Sequence, residues 1–413
     1  MKTYPTLIGF EEALRIVRQA HITPLGKEKV VFSQALNRTL ATDIVAPFDN
    51  PKYDVSSMDA YAFSSKDTQI LITEGLELFP SDNPVENSTE LALKKGCAIK
   101  TFTGARMPKN SDSLLIVEHA EIRDNKLFLK EGINLPKPND FVRKMGQNYF
   151  QNDKLFAKGQ EISAYGIGLL ASLNQVFVEV MKKPRVAILS TGNELVEVGA
   201  ETQNPNAIRS SNNHLLKALV ESMGGIGVLY ELMGDDLSAI KKSMQEALLE
   251  NDMLITTGGM SMGDYDFVQV ALEEMCEMQF KKARIKPGKP IAFALYKHYN
   301  ITKPILALPG NPDASLMTFY LFGKILFNHL LNRGNQEDLP IMQAILEDEI
   351  MRKDTRLEFR FCSLKLKEGA WHASLEPVVY RNPKEHGVIL LDEEVLHFQK
   401  GSVVKVMRLA DLV

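Results

Sequence analysis

Three glycine-rich turns fall directly after candidate strands: Ser190-Thr191-Gly192-Asn193-Glu194, Thr256-Thr257-Gly258-Gly259-Met260-Ser261-Met262-Gly263, and Leu308-Pro309-Gly310-Asn311-Pro312. Glycine lets a backbone N–H approach a phosphate with no side chain in the way, and a following helix N-terminus adds positive potential. A strand-to-helix turn needs glycine in any case, so one such loop says little. Three on one edge of an open α/β sheet point to a ligand crevice at the carboxyl ends of the strands.

Carboxylates accompany these turns. Asp264 and Asp266 follow the second, and Asp235 and Asp236 stand at the end of another candidate strand. Each pair holds one residue that helix capping explains, and each also suits Mg²⁺, a hard cation that takes oxygen ligands. Downstream, Lys281 and Lys282 read as a solvated face, but Arg284-Ile285-Lys286-Pro287-Gly288-Lys289-Pro290 differs, because its prolines and glycine stiffen the chain around two lysines. Fixed point charges are what an oxyanion site needs. Far upstream, Asp59 in Ser56-Ser57-Met58-Asp59-Ala60-Tyr61 and the hydroxyl turn Thr101-Phe102-Thr103-Gly104-Ala105 would, in isolation, be ordinary loop residues. The eight histidines form no HxxxH or HxH pair, which argues against a histidine zinc site, and there is neither a G-x-S-x-G elbow nor a Walker lysine.

The elements that must hold these groups are legible as hydrophobic periods. From Arg185 to Leu331, short apolar runs alternate with helical stripes, as in strands that cross over through helices into a largely parallel sheet. The strands fall at Val186 to Leu189, Ile226 to Leu232, Met253 to Thr256, Pro290 to Leu295 and Ile305 to Leu308. The helix stripes run through Leu215–Met223 and Leu237–Leu248, the latter capped by Asp235 or Asp236, and a further helix opens at Pro312. Ser56 to Phe141 reads as mainly β, with runs at Ile70 to Thr73, Cys97 to Phe102, Leu114 to Val117 and Lys126 to Leu129. Helix periods at Phe10 to Ala20 and Ala164 to Leu173 flank it, so the β segment reads as an insertion between pieces of a helical neck. The tail alternates again at Leu357 to Lys365, Ala370 to Val379 and Ser402 to Arg408, as a small β domain would.

The 413 residues exceed one ordinary core and favour two to four domains. With 45% hydrophobic and 24% charged residues, the chain has the balance of one that buries an interior. Its formal net charge of -4 gives no global attraction to nucleic acid or anionic lipid, so neither is an expected partner. Cys97, Cys276 and Cys362 stand far apart without a CxxC pair, which fits a reducing cytoplasm. The N-terminus lacks the run of a signal peptide, and Ala314 to Leu331, broken by Lys324, Asn328 and His329, reads as a buried helix rather than a membrane span.

Taken in order, the segments SSMDAYA, TGARMP, VRKMGQN, STGNEL, GDD, GGMSMGDYDF, RIKPGKP and LPGNPDAS resemble the MoeA-type molybdopterin molybdenumtransferases, the family that includes the gephyrin C-terminal domain. The match runs from about residue 1 to 335. The resemblance implies an elongated four-domain chain of α/β and β parts: a helical neck (1–50 and 146–180), a β insertion (51–145), a doubly wound, molybdopterin-adenylyltransferase-like α/β domain (181–335) and a C-terminal β domain (336–413). It implies a homodimer that inserts molybdate into the dithiolene of adenylylated molybdopterin and releases AMP, with Mg²⁺ as cofactor. A molybdopterin adenylyltransferase is a further candidate partner.

By the same resemblance Asp59, Thr103, Glu194 and Asp266 are the catalytic residues, and Asp235 and Asp236 join Glu194 and Asp266 in holding the metal. Ser190, Thr191, Gly192, Gly258, Gly259, Ser261, Lys286, Lys289, Pro309, Gly310, Asn311 and Pro312 bind substrate. The family has an acid where this chain has Asn148, an aspartate at Asn193 and a small residue, normally glycine, at Ala60. Its Gln-Gly-Ser-His-like turn is not matched at Asn382-Pro383-Lys384-Glu385-His386-Gly387. Loss of two acids supports the alternative of a divergent paralogue that binds the nucleotide or a partner protein as a scaffold. An adenylyltransferase activity is disfavoured by the full-length β insertion with Asp59.

Overall fold

The computed structural model describes residues 5, 7–79, 92–259, 267–334, 339–375, 382 and 384–411. Ser261, Asp264 and Asp266 lie outside the described residues. The chain divides into two compact units. One comprises Met1–Thr42, Lys158–Ala171 and Gln175–Val413, and the other Asp43–Ala157 with Ser172–Asn174.

The first unit is built around a six-stranded sheet ordered Ile226–Leu229, Arg185–Ser190, Met253–Thr257, Ile301–Leu308, Ala292–His298, Glu277–Phe280. The first four strands are parallel, with Val186 opposite Met253 and Leu254 opposite Ile305. Five of the six strands share one direction in the largely parallel sheet expected, and the edge strand Glu277–Phe280 is one that the hydrophobic period did not single out. Ala292–His298 runs antiparallel to both of its neighbours. The cause is local: Tyr299 at φ 52 and Asn300 close a tight hairpin between Ala292–His298 and Ile301–Leu308, leaving no room for a crossover helix.

Side chains alternate across this sheet. Ile188, Ile255, Phe293 and Leu306 face a core with the helices Ser211–Ser222 and Pro312–Leu330, and Leu189, Leu254, Ala294 and Ile305 face another with Leu237–Glu250 and Phe267–Met275. Both faces are therefore covered, as a doubly wound sheet requires. The Pro312–Leu330 helix is buried along most of its length, with Asn311 as N-cap and Pro312 in the first turn. Among the described residues no helix is long and apolar enough to cross a membrane.

The C-terminal strands Ile341–Leu346, Leu357–Lys367, Ala370–Ser374, His386–Leu391 and Val403–Arg408 form a sheet that closes on itself through the pairing of Leu357–Lys367 with His386–Leu391. Its edge also takes up Ile285–Lys286, so Lys286 lies opposite Glu358. Phe10, in the Phe10–Arg18 helix, contacts Phe322 and Phe359 with ring centroids 6.1 and 5.3 Å away. One apolar core thus includes residues from the amino-terminal helix, the α/β sheet and the C-terminal strands.

The second unit holds a six-stranded sheet ordered Ser113–Ile116, Ala60–Phe63, Cys97–Thr101, Leu76–Phe79, Lys126–Leu129, Ala120–Arg123 over its own core. Ile70 to Thr73, expected as a strand, belongs instead to the helix Thr68–Thr73. A short apolar run has no period long enough to separate the two forms, and here the Ser65–Asp67 turn precedes it, Leu71 is fully buried and Ile70 packs against the same core.

Candidate active site

The carboxyl ends of the parallel strands surround a cavity of about 360 Å³, lined from the three turns by Ser190, Thr191, Glu194, Thr257, Gly258, Gly310, Asn311 and Pro312. The turns hold one another. Thr191 N donates to Thr257 O at 3.1 Å, and Thr257 Oγ1 donates to Pro309 O at 3.2 Å. Gly258 sits at φ 90, where a Cβ would come within 2.3 Å of the Thr191 carbonyl oxygen; only glycine allows this approach. Gly259 adjoins it with φ 61, and Gly192 lies at φ 147 beneath the Glu194 carboxylate. Asn311 Oδ1 accepts from Ala314 N at 3.1 Å, which fixes the helix start at the cavity rim.

The remaining wall is Ile208 to Asn212, which sequence reasoning missed because Ser210-Ser211-Asn212-Asn213 before a helix looks like capping chemistry. Asn212 Nδ2 donates to Thr257 Oγ1 at 3.0 Å and to Gly310 O at 2.9 Å, tying the second and third turns together. Ser190 Oγ donates to Asn213 Oδ1 behind them. Thr191 Oγ1, Ser210 Oγ, Asn212 Oδ1 and Asn213 Nδ2 are buried with no hydrogen-bond partner. Orphaned polar atoms on this scale are rare in a folded interior, and a polar ligand in the cavity would meet the lining residues Thr191, Ser210 and Asn212; Asn213 stands behind the wall. The loop 197–207, which joins the lining residues Leu195 and Ile208, is pinned by Arg209 to the Glu197 and Ala200 carbonyls (2.8 and 2.6 Å) and by His214 Nε2 to Glu197 Oε1 at 2.8 Å. The His214 hydrogen bond holds the Glu197 carboxyl below the usual range.

The acids of the first turn meet the loop after Ile226–Leu229. Gly192 N donates to Met233 O at 3.0 Å, and Asp235 N donates to Asn193 Oδ1 at 3.2 Å. Asp236 accepts from Ala239 N at 2.9 Å and caps the Leu237–Glu250 helix. Among the described residues no three of His, Cys, Asp and Glu come together as a metal cage, so Glu194, Asp235 and Asp236 do not make one by themselves. Burial pushes the Cys276 and Cys362 thiols up to about 12, so neither supplies a thiolate at neutral pH.

Lys286 and Lys289 are not among the residues that line this cavity. Their turn packs on the helix that opens at its rim: a Cβ on Gly288, at φ 104, would meet Thr318 Cγ2 at 2.3 Å. Lys286 Nζ lies 3.3 Å from Glu358 Oε1 of the C-terminal sheet, a partner the sequence did not suggest. In the second unit, Asp59 Oδ1 accepts from Thr103 N at 2.9 Å and Thr103 Oγ1 at 3.1 Å, so two residues singled out separately do meet. Those bonds, the backbone one foremost, hold the Asp59 carboxyl below its ordinary range. Asn148 Nδ2 donates to Asn50 Oδ1 at 2.7 Å and its Oδ1 accepts from Arg143 at 3.2 Å.

The pattern described as "MoeA N-terminal region (domain I and II)" matches residues 8–174, and "Probable molybdopterin binding domain" matches 187–329. The molybdopterin molybdenumtransferase of Haemophilus influenzae is 30% identical over 338 residues, covering 82% of this chain and 81% of its own. That of Nostoc is 31% identical over 342 residues, covering 82% and 77%. The chain belongs to the molybdopterin molybdenumtransferase family. A molybdopterin biosynthesis MoeA protein of Pyrococcus horikoshii has a TM-score of 0.76 at 26% identity, covering 98% of this chain and 99% of that one. In this molybdenumtransferase-family chain Asp59 and Thr103 fall in the first match and the cavity in the second, while residues after 329 lie beyond both.

Proposed function

We propose that the chain is a transferase of molybdenum cofactor biosynthesis that inserts molybdate into the dithiolene of adenylylated molybdopterin and releases AMP. The observation that carries this reading is the cavity itself, where three glycine turns converge and three of the lining residues, Thr191, Ser210 and Asn212, each hold a buried polar atom without a partner. A nucleotide-like ligand rich in phosphate oxygens and amide groups satisfies such a wall. In this reading Ser190, Thr191, Gly192, Gly258, Gly259, Ser261 and Pro309 to Pro312 bind it. Lys286 and Lys289 meet oxyanion charge, and Asp59 with Thr103 acts at the reacting centre.

Glu194 and Asp235 stand on adjoining loops and suit Mg²⁺, which takes one or two carboxylates together with phosphate oxygens and water. Asp236 and Asp266 complete the proposed set. Bound there, Mg²⁺ would neutralise diphosphate charge while its P–O–P link breaks. A cytoplasmic homodimer, a four-part division of the chain and transient contact with a molybdopterin adenylyltransferase belong to the same proposal. Native mass spectrometry at twice the chain mass tests the dimer.

The decisive experiment is an anaerobic assay with adenylylated molybdopterin, molybdate and Mg²⁺, following AMP release and formation of the molybdenum-loaded pterin. AMP released without metal insertion, or neither product, would overturn the reading.

A further inference from the structure

We propose that Glu358 is a positioning residue for the oxyanion step, a buried carboxylate that fixes Lys286 from the C-terminal sheet. The inference rests on the reading of Lys286 as an oxyanion contact. Strand pairing sets the two residues opposite each other, and their charged atoms meet at 3.3 Å. The Glu358 side chain is 5% exposed and that of Lys286 42%, so the carboxylate sits behind and the ammonium in front. An ammonium has three N–H donors; one engaged with Glu358 leaves two for an anion.

The carboxylate is itself fixed. Its Oε2 accepts from Arg352 Nε at 3.1 Å and its Oε1 from Arg360 Nε at 2.7 Å. The Arg352 side chain is fully buried, and three further N–H groups go to the carbonyls of Asp392, Val395 and Arg356, so four of its five donors are engaged and it is held as an anchor. Burial would raise the Glu358 pKa, but the Arg360 hydrogen bond and the charges of Arg360 and Lys286 outweigh that, and the group stays ionised at neutral pH. Three cations share the Glu358 carboxylate, and the neighbouring Asp354, whose carboxylate also feels the Lys286 charge, is matched by Arg356, so the cluster keeps positive charge to offer while its geometry is held. A free lysine would supply the same charge from many rotamers; this one supplies it from few.

The test is a double-mutant cycle on molybdate binding by the full chain, with Lys286→Met, Glu358→Gln and the pair, read by calorimetry with molybdate alone and controlled by melting curves. If Glu358 acts through Lys286, each single change weakens binding about tenfold and the pair costs little more than either. Additive losses, or no loss from Glu358→Gln where Lys286→Met does weaken binding, would overturn the proposal. No loss from Lys286→Met would overturn the oxyanion reading of that lysine, a separate result. Should Glu358→Gln not fold, Glu358→Asp takes its place in the cycle: it keeps a charge opposite Arg352 but draws it back from Lys286, and the same non-additivity is expected.

Discussion

Thr103 gives Asp59 two hydrogen bonds that favour the charged carboxylate, so the group stays ionised as pH falls and protonates only below its ordinary range. Thr103→Val removes the hydroxyl bond and raises the Asp59 pKa. The acid limb of kcat/KM against pH should then move to higher pH, and a limb that does not move belongs to another group. The two asparagines in place of acids differ in what they do. Among the described residues Asn193 uses its oxygen, toward Asp235 N, and a carboxylate can accept that bond equally well. Asn193→Asp should therefore fold normally and lower the Mg²⁺ concentration that gives half-maximal activity, by adding a hard anionic ligand beside Asp235. Asn148 donates as well as accepts, so its amide has a structural use that an acid would lose.

At the scale of elements, the cavity depends on three strand ends reaching one level. Gly258 is where that is tightest, and Gly258→Ala should cost about 1–3 kcal/mol in denaturant unfolding and abolish nucleotide binding, because the second turn can no longer lie against Thr191. Unchanged binding would mean that the turns do not form the ligand wall. Periodicity revealed five strands of this sheet and its helices because each face alternates over a full element, but not Glu277–Phe280, which is four residues long and follows directly on the Phe267–Met275 helix. It did not reveal the reversed direction of Ala292–His298, which hangs on the two-residue Tyr299-Asn300 hairpin, nor the Thr68–Thr73 helix, which is too short to show a period. Glycines announced the turns; Asn212, Asn213 and Ser210 stayed hidden because capping uses the same residue types. Glu358 was illegible for another reason: its partners come together only through pairing of distant strands.

For the whole molecule, the C-terminal sheet does not stand apart from the α/β core. Phe359, Val388 and Met407 share one cluster with Phe10, Ile285 and Phe322. A chain ended after Gly334 would expose that surface and strand Lys286 without its carboxylate, so it should be insoluble or melt well below the full chain, as a clouding or melting curve would reveal. A truncated protein with an unchanged melting point would refute the shared core. One feature of the sheet also bears on timing. The Met253–Thr257 strand is buried at every residue and flanked on both sides by parallel neighbours, and its last residue, Thr257, is a wall of the cavity. Its amides should exchange with deuterium only through opening of the whole unit, while those of residues 197–207 exchange through local fluctuation. Ligand should accordingly slow exchange in that loop, through its ends at Leu195 and Ile208, and leave the strand's already slow exchange almost unaltered: the floor is finished before anything arrives, and recognition is completed by the loop that joins two residues of the wall.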